Sequence, residues 1–215
     1  MLAPKLPLWK RVEDLAIAIP VTILASPILA AIALAIVLES GRPIFYSDER
    51  VGAGGRPFHI LKFRTMIPDA ITHGLGIQVA ERDSRITRAG AFLRRWSLDE
   101  LPQIVNVIRG EMSIVGPRPT YAVQVARYSI RHRGRLAVRP GITGPAQVDG
   151  RNDLSWNERI ERDLAYIDRL SPWLDLRILL RTPVVILRGR GLYGRGGITP
   201  DYEPEPGDGS AGGRP

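Results

Sequence analysis

Two adjacent carboxylates, Asp99 and Glu100, lie within Ser97-Leu98-Asp99-Glu100-Leu101-Pro102-Gln103, directly ahead of an apolar-periodic stretch through Ile104, Val107 and Ile108. A carboxylate can attack phosphorus or hold a divalent metal. Neighbouring residues on a helix point in different directions, so the pair suits two separate roles better than one shared proton. At a helix start, exposed amides and the helix dipole would also keep such carboxylates ionised. An ordinary explanation competes, because Ser97-x-x-Glu100 fits a capping box. Pro102 complicates that box, since its missing amide favours a helix that begins a residue or two later.

Cations suited to phosphate lie elsewhere in the chain. Arg118 stands between Pro117 and Pro119, which limits its backbone freedom and leaves its guanidinium less entropy to lose on binding. Bidentate phosphate recognition is the natural use, and a structural corner is the alternative. Only three of the 30 basic residues are lysines, and Lys62 is the one lysine after Lys10. In Pro57-Phe58-His59-Ile60-Leu61-Lys62-Phe63-Arg64, strand alternation projects Lys62 and Arg64 from one face. His59, His73 and His132 have no metal-ligand spacing, and no P-loop or dinucleotide glycine fingerprint occurs.

The elements that would position these groups follow from local pattern. Pro43 to Tyr46, a glycine-rich turn at Gly52 to Gly55 and the stretch from Pro57 to Arg64 predict a β-hairpin. Ala89 to Trp96 reads as a helix, and Gly116-Pro117-Arg118-Pro119 and Arg139-Pro140-Gly141-Ile142-Thr143-Gly144-Pro145 read as corners. Trp156, Ile160, Leu164 and Ile167 mark one face of a helix over roughly 155–169. A last helix, from Pro172 to about Arg188, mixes leucines with Arg177, Arg181 and Arg188 behind Trp173. It suits either the lipid head-group level or a core helix with a basic outer face. From Pro200 on, composition predicts a disordered tail.

Between Asp14 and Glu39 the chain has 24 residues without a charge, divided at the midpoint by Ser26-Pro27. An unbroken helix of that length can cross a hydrocarbon core of about 30 Å, whereas each half would reach only about 18 Å. A proline there frees carbonyls near Ile23, which the Ser26 hydroxyl, a neighbouring segment or water must satisfy. Basic residues flank both ends, Lys5, Lys10 and Arg11 before and Arg42, Arg50 and Arg56 after, so neither end is marked as the outside. A re-entrant helix-break-helix and a kinked spanning helix both fit. A buried core helix and a signal peptide also compete, although a signal peptide's apolar stretch is shorter.

With 215 residues, there is room for one domain after that segment. The absence of cysteine excludes disulfides and thiolate chemistry, and a net charge of +8 points to anionic partners such as lipid head groups, nucleotides or nucleic acid.

Taken in order, Lys10-Arg11, Ser26-Pro27, Lys62-Phe63-Arg64-Thr65-Met66, the Ser97 to Gln103 segment and the corners at Gly116 and Arg139 resemble the bacterial sugar transferases over roughly residues 8–190. More specifically, they resemble the monotopic polyprenyl-phosphate phosphoglycosyl transferases. The resemblance implies an α+β, mainly helical fold. Residues 1–40 would form a re-entrant membrane anchor broken at Ser26 and Pro27, and 41–199 a cytoplasmic catalytic domain with the β-hairpin and interfacial amphipathic helices. Residues 200–215 would be the tail. It also implies transfer of a phosphosugar from a UDP-sugar to polyprenyl phosphate, at the cytoplasmic face of the inner membrane, with Mg2+ and no nucleic acid partner.

By that resemblance Asp99 would be the nucleophile, giving an acyl-phosphate intermediate and UMP, and Glu100 would help hold Mg2+. Lys62, Arg64, Arg118, Arg139 and Asp163 would bind substrate. Pro145 and Ile67-Pro68 depart from the family's usual residues, and the chain looks like the minimal catalytic form. Two other classes remain: a non-catalytic adaptor using its basic face on a membrane, and a metal-dependent phosphohydrolase.

Overall fold

The structure, a computed structural model, describes residues 7–68, 70, 78–189, 191–194, 197 and 202. His73 and all of the predicted tail except Tyr202 lie outside these residues. The fold is mostly helical with two small sheets, in line with the expected class. A long apolar helix, α1 (Leu8–Ser40), runs through both Pro20 and Pro27 without dividing into two helices. The reason it survives Pro27 is local: the Ser26 hydroxyl donates to the Ile23 carbonyl at 2.8 Å, supplying a partner for a carbonyl beside the break. At 33 residues α1 is long and apolar enough to cross a membrane by composition.

Both ends of α1 are tied to the same globular unit, while its middle is not. Near the start, Asp14 accepts from the Ser113 hydroxyl at 2.7 Å and from the Ile114 amide at 2.9 Å. The Lys10 ammonium meets Asp175, which also accepts from the Tyr166 hydroxyl. Near the end, Glu39 accepts from the amides of Arg88 and Ala89 at the start of α2 (Arg88–Arg95). Between these anchors Ile23 and Leu24 are 67% and 77% exposed.

The predicted hairpin forms from β1 (Phe45–Val51) and β2 (Pro57–Phe63), antiparallel, with Tyr46 opposite Lys62. Its turn needs positive φ at Gly54 and Gly55, which glycine supplies without a Cβ clash. A 3-10 turn, Leu98–Gln103, leads into α3 (Ile104–Arg109). Two short strands, β3 (Ser113–Val115) and β4 (Gly141–Thr143), pair in parallel, with α4 (Ala122–Ala126) between them in sequence. After α5 (Pro145–Asp149) come α6 (Trp156–Asp168) and α7 (Pro172–Arg188). Val107, Met112 and Ile178 belong to the main core, between α3, the parallel strands and α7.

The two glycine-rich corners meet at this parallel pair. A Cβ on Gly141 would lie 2.1 Å from the Gly116 amide nitrogen, and one on Gly144 would lie 2.0 Å from the Gly116 carbonyl oxygen. Backbone therefore packs directly on backbone, which is the structural use of both motifs. The α6 face falls as its periodicity predicts, with Ile160 and Ile167 buried. On α7, Asp175 and Ile178 turn inward, whereas Trp173, Leu180 and Leu187 are 80%, 69% and 64% exposed. The outer face is thus as apolar as it is basic. Tyr202 is fully buried, with its ring 5.0 Å from Tyr128 and 5.9 Å from Trp156, so this one described residue of the predicted tail is packed because an aromatic cluster accepts it.

Gly141→Ala should destabilise the fold by about 3 kcal/mol, the upper end of overpacking penalties, because backbone rather than a rotatable side chain must move. Chemical denaturation of the detergent-solubilised protein would read this as a lowered midpoint.

Candidate active site

The 3-10 turn begins after Ser97, whose φ of 55° is unusual for a residue with a side chain. Ser97 caps nothing, so the capping box is not formed. Glu100 is used differently. Its Oε1 accepts from Lys62 at 2.8 Å and from Arg118 at 2.7 Å, and its Oε2 accepts from Arg118 at 3.3 Å. Strand β2 delivers Lys62, the turn delivers Glu100, and the Pro117-Arg118-Pro119 corner delivers the guanidinium. The lysine and glutamate side chains are 18% and 14% exposed, while that of Arg118 is 48% exposed and open to a ligand.

Burial alone would raise the Glu100 carboxyl, but Arg118 and Lys62 outweigh it and hold the group well below the usual carboxylate range. Asp99 behaves oppositely: burial, then the Glu100 charge, pushes its carboxyl up, with Lys62, Arg94 and Arg118 opposing. The helix-start argument therefore fails for Asp99, where loss of solvent dominates. Among the described residues Asp99 accepts no hydrogen bond, so its oxygens are uncommitted. Burial also pushes the Lys62 ammonium down, with Glu100 opposing.

Three of the residues assigned from sequence stand elsewhere. Arg64 lies just past β2, where its amide still donates to the Ile44 carbonyl at 2.9 Å. It is buried and donates to the carbonyls of Ser40 and Gly41 at 2.8 and 2.7 Å, closing the end of α1. Arg139 donates to the Gly110 carbonyl at 2.8 Å, toward the start of α1. Asp163 is fully buried and accepts from Arg135 at 2.6 Å. Arg135 in turn donates to the Arg118 carbonyl at 3.0 Å, so Asp163 reaches the site only through a brace behind Arg118.

Two arginines that sequence reasoning missed flank the pair. Arg94, on α2, donates to the Thr65 hydroxyl at 2.8 Å and lowers Asp99. Arg151, with φ 54°, reaches the Ser97 hydroxyl at 3.3 Å, and its Nη1 is buried without a partner. Neither belongs to a distinctive spacing; one is an ordinary helix residue and the other opens a short 3-10 turn after Gly150. His59 is exposed and His132 bonds Tyr202, and among the described residues no three His, Cys, Asp or Glu side chains converge on a metal position.

A buried aspartate-arginine brace, two arginines beside an open carboxylate and a lysine-glutamate-arginine cluster make up the site, a donor set whose chemistry suits phosphate. The family model for bacterial sugar transferases matches residues 6–189, and the chain belongs to that family. It is 45% identical over 194 residues to a UDP-glucose:undecaprenyl-phosphate glucose-1-phosphate transferase of Xanthomonas campestris pv. campestris, covering 86% of this chain and 40% of that relative. It is 44% identical over 195 residues to a protein of the same description from Caulobacter vibrioides, covering 86% and 72%. The exopolysaccharide production protein ExoY of Rhizobium meliloti is 37% identical over 198 residues, covering 86% and 88%. The chain thus spans less than half the length of the Xanthomonas relative.

Asp163→Asn should destabilise the protein by about 3–5 kcal/mol, because it leaves the Arg135 charge buried without its counter-ion. Thermal melts of the variant beside Asp163→Asn/Arg135→Met would check it, since removing both charges should recover part of the loss.

Proposed function

We propose that this chain transfers a phosphosugar from a UDP-sugar to polyprenyl phosphate, with Asp99 as nucleophile. The observation that carries this reading is the uncommitted Asp99 carboxylate beside Glu100, whose oxygens are held by Lys62 and Arg118. An Asp99 oxygen attacks the phosphorus that bears the sugar, the bond to the UMP oxygen breaks, and UMP leaves. A phosphate oxygen of polyprenyl phosphate then attacks the same phosphorus and frees Asp99, giving polyprenyl-diphosphate-sugar. Splitting the transfer in two means that the soluble and lipid substrates need not occupy the site together. Arg118, Arg94 and Arg151 offset phosphate charge as it shifts onto the leaving oxygen. The named activity of the Xanthomonas and Caulobacter relatives makes UDP-glucose the first donor to test.

Mg2+ is the cation proposed for the diphosphate. It binds through one or two carboxylates plus substrate phosphates, and Asp99 is the carboxylate open to it. Glu100, assigned that role from sequence, has both oxygens on cations. Bound there, Mg2+ would supply further neutralisation of phosphate charge.

For α1 the reading is re-entrant, with both ends on the cytoplasmic side of the inner membrane. Its support is that Asp14 and Glu39, at opposite ends of the apolar run, bond to one globular unit. The exposed Trp173, Leu180 and Leu187 of α7 suit the head-group level.

Asp99→Asn should abolish transfer, and the wild type incubated with UDP-glucose should gain a hexose-phosphate mass on Asp99 by peptide mass spectrometry. Retention of transfer by the asparagine variant would exclude this mechanism. The attacking form is ionised, so kcat/KM is present above the Asp99 pKa and lost as pH falls through it. Because that pKa is raised, the acid limb of a pH profile should lie above the ordinary aspartate value. For topology, accessibility tags at residues 1 and 215 should both report the cytoplasm, and tags on opposite sides would establish a spanning helix.

A further inference from the structure

Two arginines beside the start of α1, Arg11 on that helix and Arg139 just ahead of β4, are not used by the proposed reaction. The Arg11 guanidinium donates to the carbonyls of Val107 and Ile108 at the end of α3. A Cβ on Gly110 would lie 3.7 Å from that guanidinium. From the other side, Arg139 donates its Nε to the Gly110 carbonyl at 2.8 Å. Two guanidiniums therefore crowd one glycine. Among the described residues neither has a carboxylate within ion-pair distance, and the two terminal nitrogens of Arg139 have no acceptor. Asp14, whose charge acts on Arg139, is committed to Ser113 and Ile114 and lies 3.6 Å from the Lys10 ammonium. Burial, with the like charge of Arg11 adding, pushes the Arg139 guanidinium down from its usual value.

Exposed apolar side chains lie close by, among further charged residues such as Arg109 on α3 and Lys10 on α1. Leu8 and Val12, on the same helix end, are 78% and 60% exposed, and Ile108 is 37% exposed. The uncharged run begins at Leu15, four residues after Arg11, which is about 6 Å along the helix. If α1 enters a bilayer, as proposed above, this places the pair at the depth of the lipid phosphates. There, a planar guanidinium with free paired donors matches a phosphate, and an acidic head group supplies the negative charge that the pair lacks.

We infer that Arg11 and Arg139 form a binding site for the head group of an acidic phospholipid, separate from the Asp99 site. The site pins the entry point of α1 to an anionic leaflet. It takes Arg139 out of substrate binding and gives the arginine of the Arg139-Pro140-Gly141 corner a membrane role, while the glycine keeps its packing role.

The test uses the full chain in neutral detergent, titrated with dioctanoyl phosphatidylglycerol, dioctanoyl phosphatidylcholine or inorganic phosphate, with the melting temperature as readout. Phosphatidylglycerol should raise it, because a ligand that binds the folded state stabilises it, and the other two should not. Arg139→Gln should weaken the apparent affinity for phosphatidylglycerol about tenfold, the loss of one bidentate charge-assisted contact, and Arg139→Lys should fall between. Arg177→Gln, an exposed arginine on α7, should match the wild type. Equal stabilisation by inorganic phosphate would make this a free-anion site and overturn the proposal. Equal weakening by Arg177→Gln would reduce it to diffuse surface charge and overturn it as well. The wild-type comparison of the three ligands stands without any variant. Flotation with phosphatidylcholine vesicles separates the two readings: a protein that floats but ignores phosphatidylglycerol refutes this site alone, and one that does not float refutes the membrane reading of α1 too.

Discussion

One carboxylate organises the site. Glu100 is gripped by an ammonium from the hairpin and by a guanidinium from the Pro117-Arg118-Pro119 corner, so three separate stretches of chain converge on two oxygens. With Lys62 and Glu100 largely buried, truncating either would leave the other's charge poorly compensated. The consequence for Asp99 is electrostatic as much as geometric. Lys62, Arg94 and Arg118 oppose both the burial of Asp99 and the charge of Glu100, while among the described residues the Asp99 oxygens accept no hydrogen bond. A nucleophile needs that combination of nearby positive charge and uncommitted lone pairs.

Behind this cluster the fold spends buried charge to hold one arginine still. Asp163 orients Arg135, and Arg135 grips the backbone of Arg118 rather than its side chain. The guanidinium of Arg118 therefore remains available at the surface while its main chain is fixed from within. The Tyr128 hydroxyl accepts another bond from Arg135 at 2.8 Å, and Tyr202 packs on the Tyr128 ring, so the far end of the chain buttresses the same brace.

Charged side chains also join the apolar helix to the domain. Glu39 serves the start of α2, Arg64 the end of α1, and Arg11 the end of α3. Each places a charge where a helix end leaves amides or carbonyls unsatisfied. Because such bonds occur at both ends of α1, the helix is clamped like a handle, with its exposed apolar middle held away from the domain. The unit that grips both ends of this apolar helix also carries Asp99.

Much of this was legible in order and type. The uncharged run, the proline at its middle, the Ser26 hydroxyl as partner for the Ile23 carbonyl, the hairpin and the buried face of α6 all follow from local pattern, because each depends on residues within a few positions of one another. Family membership was legible for the same reason, as a set of short motifs in sequence. What no local pattern carries is which side chains meet across the fold. Lys62 and Arg64 look alike on a strand, yet Lys62 reaches Glu100 while Arg64 turns to the carbonyls at the end of α1. Arg139 and Asp163 sit in recognisable motifs but serve other neighbours, while Arg94 and Arg151, which no motif singled out, stand near Asp99. By itself the sequence determined the elements and the chemical inventory, since period, charge and proline act at short range. Only the tertiary structure decided which charges are partners and which carboxylate stays open, because pairing and loss of water depend on long-range packing.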